Sequence, residues 1–261
     1  MKAWALVPAV ALGLLAGAAQ AAPPSPSGPA VKTRAGVAQP YGSGPSQVWV
    51  LRPKHGRPRS VVVYVHGWGA SSPFEWHVAW MDHLLARGSA VIFPRYQEGG
   101  TDDPLITTIF DLEDGLRAGF EALGEPGLPV VVAGFSWGGA LAFEYAAKAG
   151  RWGLPRPRAV YSVFPGDPRG QGTLFNLPRP RPMRVVILVG DQDDVVGSSG
   201  ADAFWEWLRP LPASLKTYRV IRTSDDLLAN HEAPTVVTSP VVRKVFWTPL
   251  DRLVSDARQA P

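Results

Sequence analysis

Four stretches of this chain are apolar at nearly every position and rich in β-branched side chains: Ser60–His66 (SVVVYVH), Ala90–Pro94 (AVIFP), Pro129–Phe135 (PVVVAGF) and Arg184–Gly190 (RVVILVG). A strand with one wet face alternates apolar and polar residues, so runs without alternation belong to strands buried on both faces. Ala159–Phe164 (AVYSVF) reads as a fifth. Helical patterns separate these runs. Leu105, Ile109, Leu112, Leu116, Phe120 and Leu123 recur at spacings of four and three behind Asp103-Pro104, a capping acid followed by proline at the first helical position. Ser239-Pro240 gives a second start, before Val241, Val242, Val245 and Phe246. Strands buried on both faces, alternating with helices, imply an α/β fold: a mostly parallel central sheet with helices on both faces. Ligands of such sheets gather beyond the carboxyl ends of the strands, where the chemical residues are to be sought.

The chain has 261 residues and no cysteine. Disulfides, thiolate metal sites, iron–sulfur clusters and a cysteine nucleophile are therefore excluded. The net charge of +4 is small and scattered along the sequence, which argues against a nucleic-acid partner. Met1-Lys2, an apolar run broken by Pro8, Gly13 and Gly17, and the small-x-small ending Ala19-Gln20-Ala21 have the three parts of a secretory signal. Residues 1–21 are expected to be cleaved, leaving a secreted or periplasmic protein. The apolar run falls short of the roughly 20 residues that span a bilayer, so no stable membrane anchor is expected. Residues 22–36, rich in Pro, Ser, Ala and Gly, read as a flexible lead-in, and residues 37–261 as one domain.

Gly134-Phe135-Ser136-Trp137-Gly138-Gly139 sits directly after one buried strand and before a helix expected from Gly138 to about Lys148. A serine on so sharp a turn has a strained backbone, and the residues two before and two after it must be small. The turn lifts the Ser136 hydroxyl clear of the sheet at a helix N-terminus, which favours a developing oxyanion. A serine nucleophile needs a base. Of the five histidines, His55, His66, His77, His83 and His231, only His231 follows Ser136, in the polar loop Ser224–Pro234 before the last helix. An acid should orient that imidazole and stabilise its charged form. Asp191, Asp193 and Asp194 all follow the strand ending at Gly190; Asp193 is favoured and Asp194 is the alternative. The backbone N–H groups of Trp137 and of Trp68, in His66-Gly67-Trp68-Gly69, are the candidate oxyanion donors. The Trp68 and Trp137 side chains are placed at the mouth, against an apolar or aromatic substrate. Trp76 and Trp80, four apart on a helix expected over Phe74–Ala86, read as core.

On HGWG (66–69), GFSWGG (134–139), GDQDD (190–194) and NHEAP (230–234), in that order, the chain resembles the α/β-hydrolase superfamily from about Ser46 to the last helix. The resemblance implies Ser136 as nucleophile, Asp193 as acid, His231 as base and the Trp68 and Trp137 N–H groups as oxyanion hole. In size the chain is similar to compact secreted esterases, cutinase-like enzymes and dienelactone hydrolases. It carries serine where dienelactone hydrolases usually have cysteine, and it lacks the disulfides of many secreted cutinase-like enzymes.

Family members often carry a helical cap between the strand ending near Phe164 and the one starting near Arg184. Here that link is Pro165–Met183, too short and too rich in Pro and Gly for one, so no substantial lid is expected. Its end, Pro178–Arg184 (PRPRPMR), reads as an extended surface lead-in to a strand, with anion or protein binding as the other reading. The favoured activity is hydrolysis of a small or polymeric carboxylic ester through an acyl-enzyme, without metal or organic cofactor. Amide or peptide cleavage by the same three residues, and a non-catalytic binding protein of the same fold, are the alternatives.

Overall fold

The computed structural model describes residues 23–98, 107–169, 176–235 and 238–260. The expected signal at 1–21, the Asp103-Pro104 helix start and the middle of the Pro165–Met183 link lie outside them. Among the described residues nine strands form one sheet: β1 (Val31–Lys32), β2 (Gly36–Tyr41), β3 (Val48–Pro53), β4 (Ser60–Val65), β5 (Ser89–Pro94), β6 (Val130–Phe135), β7 (Ala159–Val163), β8 (Arg184–Gly190) and β9 (Lys216–Ile221). Their order is β1-β2-β3-β5-β4-β6-β7-β8-β9. The first three pairings, out to β3–β5, are antiparallel. Every pairing from β5–β4 to β8–β9 is parallel. The five strands read from the sequence are five of the six parallel ones. β4, β5, β6 and β7 are buried at every residue, which is why they lack alternation.

The helices are α1 (Val78–Ala86), α2 (Thr108–Leu123), α3 (Trp137–Lys148), α4 (Ser199–Trp207), α5 (Pro240–Val242) and α6 (Thr248–Gln259). Ser239 caps α5 by accepting the Val242 N–H, as its sequence predicts. A π-helical turn, Arg243–Trp247, carries the chain from α5 into α6. Two apolar clusters cover the two sheet faces: α2, α3 and α4 pack on one, α1 and α6 on the other.

Three expectations need correction. The described part of the lead-in, residues 23–36, is not a loose tail: Val31 pairs with Ala38 and Lys32 with Val37, Ser27 N–H donates to Pro40 O, and Gln39 Nε2 donates to Gly28 O at 2.7 Å. This segment is ordered by backbone pairing along a sheet edge, for which its apolar content is irrelevant. The helix expected from Phe74 starts only at Val78, because Phe74 is taken up by a turn onto Ser72 Oγ and an edge contact with Trp49. The tryptophan pair therefore splits. Trp80 is core, stacked on Trp247, whereas Trp76 is 50% exposed. Finally, β9 (KTYRVI) escaped the sequence reading because an edge strand buried only at Ile221 carries no strong apolar signal.

Candidate active site

Ser136 joins β6 to α3 with φ 54° and ψ −125°, a backbone that a non-glycine residue holds only when its surroundings over-determine it. Its N–H donates to Val163 O at 2.9 Å, and its own carbonyl accepts from Gly139 N and Gly166 N. The flanking glycines are obligatory for packing. A Cβ on Gly134 would lie 2.0 Å from Gly138 O, and one on Gly138 would lie 2.2 Å from both Val65 O and His66 O. Sheet and helix thus close on one another around the serine.

His231 lies 2.9 Å from Ser136 Oγ through Nε2 and 2.9 Å from Asp193 Oδ2 through Nδ1. A carboxylate only accepts, so Nδ1 carries the hydrogen and Nε2 is left to accept from the serine hydroxyl. The ring is half-buried between Phe135, with centroids 4.9 Å apart, and Phe164 at 6.2 Å. The Asp193 side chain is 0% exposed. Its second oxygen accepts the Val195 and Val196 N–H groups, each at 3.1 Å, so the buried carboxylate is fully engaged.

The three carboxylates after β8 have three different placements. Asp193 faces His231, while Asp194 is exposed. Asp191 Oδ1 accepts from both the N–H and the hydroxyl of Thr223, whose Oγ1 in turn accepts the Ala229 N–H. Asp191 therefore anchors the loop that presents His231. Gly190 completes this arrangement: a Cβ there would lie 2.1 Å from Ala229 O and 2.9 Å from Phe164 Cζ. The sequence offered Asp191 only as one of three acids after the strand, and neither residue's part in holding the loop was read from it. The available signal was their position, immediately ahead of the acid on a strand end.

The other side of Ser136 is formed by the loop after β4. A Cβ on Gly67 would come within 3.2 Å of Ser136 Cβ and 2.9 Å of Phe135, so only glycine lets the main chain pass this close. That contact sets Trp68, which is half-buried, beside the serine. The loop is clamped by the segment after β5: Tyr96 hydroxyl donates to His66 O at 2.7 Å, and Gln97 Oε1 accepts the Gly69 N–H. His66 is fully buried, stacked on Tyr96, with Nδ1 2.6 Å from Gly67 O and Nε2 2.7 Å from Arg95 O. Burial lowers its pKa to about 4 against the two facing carbonyls, which pull the other way. His66 thus holds the loop, the role its sequence position suggested.

One placement was wrong. The Trp137 side chain, expected at the mouth, is 7% exposed and packs in the core with its ring against Gly166. The first ten residues of α3 are all buried, so its first side chain is covered with the rest. The remaining histidines stand apart from the serine. His77 is buried against Tyr64, His83 pairs with Asp251, and His55 is exposed. Among the described residues no group of three or more His, Asp or Glu gathers as a metal site would require. Residues 165–169 and 176–183 of the β7–β8 link contain no α-helix.

Residues 62–260 match the sequence pattern of the alpha/beta hydrolase family. The chain belongs to that family. Solved structures agree on the fold. Thermogutta terrifontis esterase 2, phosphorylated by paraoxon, superposes with a TM-score of 0.64 at 16% identity, covering 88% of this chain and 97% of its own. Esterase B from Lactobacillus rhamnosis, inhibited by a tributyrin phosphonate, gives 0.60 at 18% identity, with 81% of each chain covered. MGS-M1, an alpha/beta hydrolase from a Medee basin deep-sea metagenome library, gives 0.58 at 20% identity, covering 82% of this chain and 93% of its own. A search of the curated proteins returns no match. As an alpha/beta hydrolase, the chain carries its serine, imidazole and carboxylate at the carboxyl ends of β6, β9 and β8, where open parallel sheets place their ligands.

Proposed function

We propose that this alpha/beta hydrolase is an exported serine hydrolase that cleaves carboxylic esters. The observation that carries this reading is the chain of two 2.9 Å hydrogen bonds from Asp193 through His231 to a serine on a strained elbow. Ser136 attacks the ester carbonyl as His231 Nε2 takes its proton, and Asp193 holds the ring and stabilises the imidazolium. The oxyanion is received by the N–H groups of Trp68 and Trp137. Collapse expels the alcohol, protonated by His231, and water repeats the cycle on the acyl-enzyme. The esterase neighbours trapped with phosphorus inhibitors support an ester-directed serine chemistry. Val195 and Leu228, 66% and 58% exposed and close in sequence to Asp193 and His231, support an apolar acyl or alcohol group. The apolar N-terminal stretch ending at Ala21 supports export.

The test is labelling by a fluorophosphonate, read by intact mass and peptide mapping, beside turnover of p-nitrophenyl esters and matched amides. Labelling of Ser136, with ester turnover lowered roughly a thousandfold or more in Ser136→Ala and His231→Ala, is the expected outcome. A folded protein that neither labels nor turns over an ester would sink the reading. Faster turnover of the amide would transfer it to amidases.

A further inference from the structure

The charges that look scattered along the sequence are segregated by the fold. β4 to β9 run in one direction, so the links entering them lie at the amino edge of the sheet and the links leaving them at the carboxyl edge. The carboxyl edge, which holds the candidate triad, is acidic: DQDD follows β8, and Asp225, Asp226 and Glu232 follow β9. The arginines there are paired with carboxylates of the same edge, Arg95 with Glu98, Arg169 with Asp167 and Arg222 with Asp191. The amino edge is the reverse. KHGRPR (54–59) leads into β4, RWGLPRPR (151–158) into β7 and PRPRPMR (178–184) into β8, without a carboxylate. Among these entering links Glu125, before β6, is the one acid. The β1–β2 turn adds Arg34 to the same edge, since Gly36 pairs with Pro53. Arg34, Lys54, Arg57, Arg156 and Arg179 are exposed and form no ion pair among the described residues.

A cleft of about 650 Å³ opens beside this edge, lined by Arg34, Lys54, His55 and Arg243 with the ring of Trp247. Arg243 lies over that ring at 4.9 Å. The Asp82 carboxylate that also lines the cleft accepts the Ala35 N–H, and Asp251 is paired with Arg87 and hydrogen-bonded to His83. The cleft therefore offers unpaired cations to an anion.

We propose that the amino edge is a docking face for an anionic phospholipid surface, with one headgroup phosphate seated in the cleft. Basic links into strands spaced about 4.8 Å apart spread their charge over a broad strip rather than a groove, which suits a plane of separate phosphates better than a single polyanionic strand. Arginine dominates the strip, and its planar fork matches phosphate oxygens. The polarity along the strands turns the acidic catalytic edge away from the surface. A docked molecule then meets esters arriving from solution instead of lipids of the surface that holds it. This last consequence rests on the proposed hydrolase activity; the docking does not.

The test is co-sedimentation of the protein with phosphatidylglycerol vesicles and with phosphatidylcholine vesicles, at low and high salt. Binding to the first alone, weakened by salt, is expected. The double variants Lys54→Glu/Arg34→Glu, in the cleft, and Arg156→Glu/Arg179→Glu, outside it, are each expected to weaken partitioning about tenfold or more while p-nitrophenyl ester turnover stays at the wild-type rate. Absent binding to anionic vesicles, equal binding to neutral ones, or capture by DNA or an acidic polysaccharide but not by vesicles would overturn the proposal. So would undiminished binding in either double variant, because a planar contact needs both regions. Absence of ester turnover in wild-type protein that binds the anionic vesicles would count against the hydrolase reading alone.

Discussion

At the scale of single residues, the catalytic assignments divide into those local chemistry can settle and those it cannot. Ser136 and the glycines around it are fixed within six consecutive residues, since strand, elbow and helix leave no other way to turn. The acid is different. Asp191, Asp193 and Asp194 look alike in sequence, and only the distance to His231 separates them. Asp193→Asn should therefore lower ester turnover on the order of a thousandfold or more, by leaving the imidazole in the wrong tautomer. Asp194→Asn should leave turnover near wild type. Steady-state kinetics of the two variants check this, and the reverse ranking would move the acid by one place. Trp137 shows the complementary failure. Its N–H follows from its place after the serine, but its side chain was misplaced because the burial of α3 on all sides is not written near position 137.

At the scale of elements, the presentation of His231 depends on how closely β8 approaches the loop after β9. Gly190 permits that approach: an added methyl would meet the Ala229 carbonyl, a backbone atom that cannot swing aside. Gly190→Ala is expected to destabilise the fold by about 1–3 kcal/mol, as overpacking does. It should also slow fluorophosphonate labelling of Ser136 in protein that thermal denaturation shows to be folded, because the loop carrying His231 must retreat. Unchanged labelling would mean that β8 yields instead. The parallel strands β4 to β8 were legible because burial in the middle of the sheet leaves unbroken apolar runs. The edges were not: β1, β2 and β9 are held by backbone bonds that any sequence can make, so their side chains carry little record of their structure.

At the scale of the whole molecule, burial of titratable groups couples stability to pH. His77 is buried against Tyr64 and its pKa is lowered to about 3, because the interior disfavours the charged ring. Below about 6.5 the unfolded chain binds a proton there that the folded chain refuses, so this site costs about 1.4 kcal/mol of stability per pH unit as pH falls toward 3. His66 acts in the same sense. Glu144 opposes them. Its carboxyl, 2.5 Å from Lys148 Nζ and fully enclosed, is raised to about 7 by burial, so its contribution is present below about 4.5 and is lost as pH rises to 7. Two histidines against one carboxylate leave stability rising from pH 5 to 6.5, and urea midpoints across that range should show it. His77→Leu should flatten the rise and Glu144→Gln should steepen it; slopes that match wild type would exclude these groups as its source. The charge polarity of the sheet edges belongs to this scale as well, since residues far apart in sequence share an edge only once the strands align. By itself the sequence determined five of the six parallel strands, the serine elbow and the set of candidate partners, because residue period and turn chemistry act within a few neighbouring positions. Tertiary structure alone decided which acid meets His231, where the Trp137 ring goes, and how the charges divide between the two edges, because each depends on contacts between segments tens of residues apart that form only when the sheet closes.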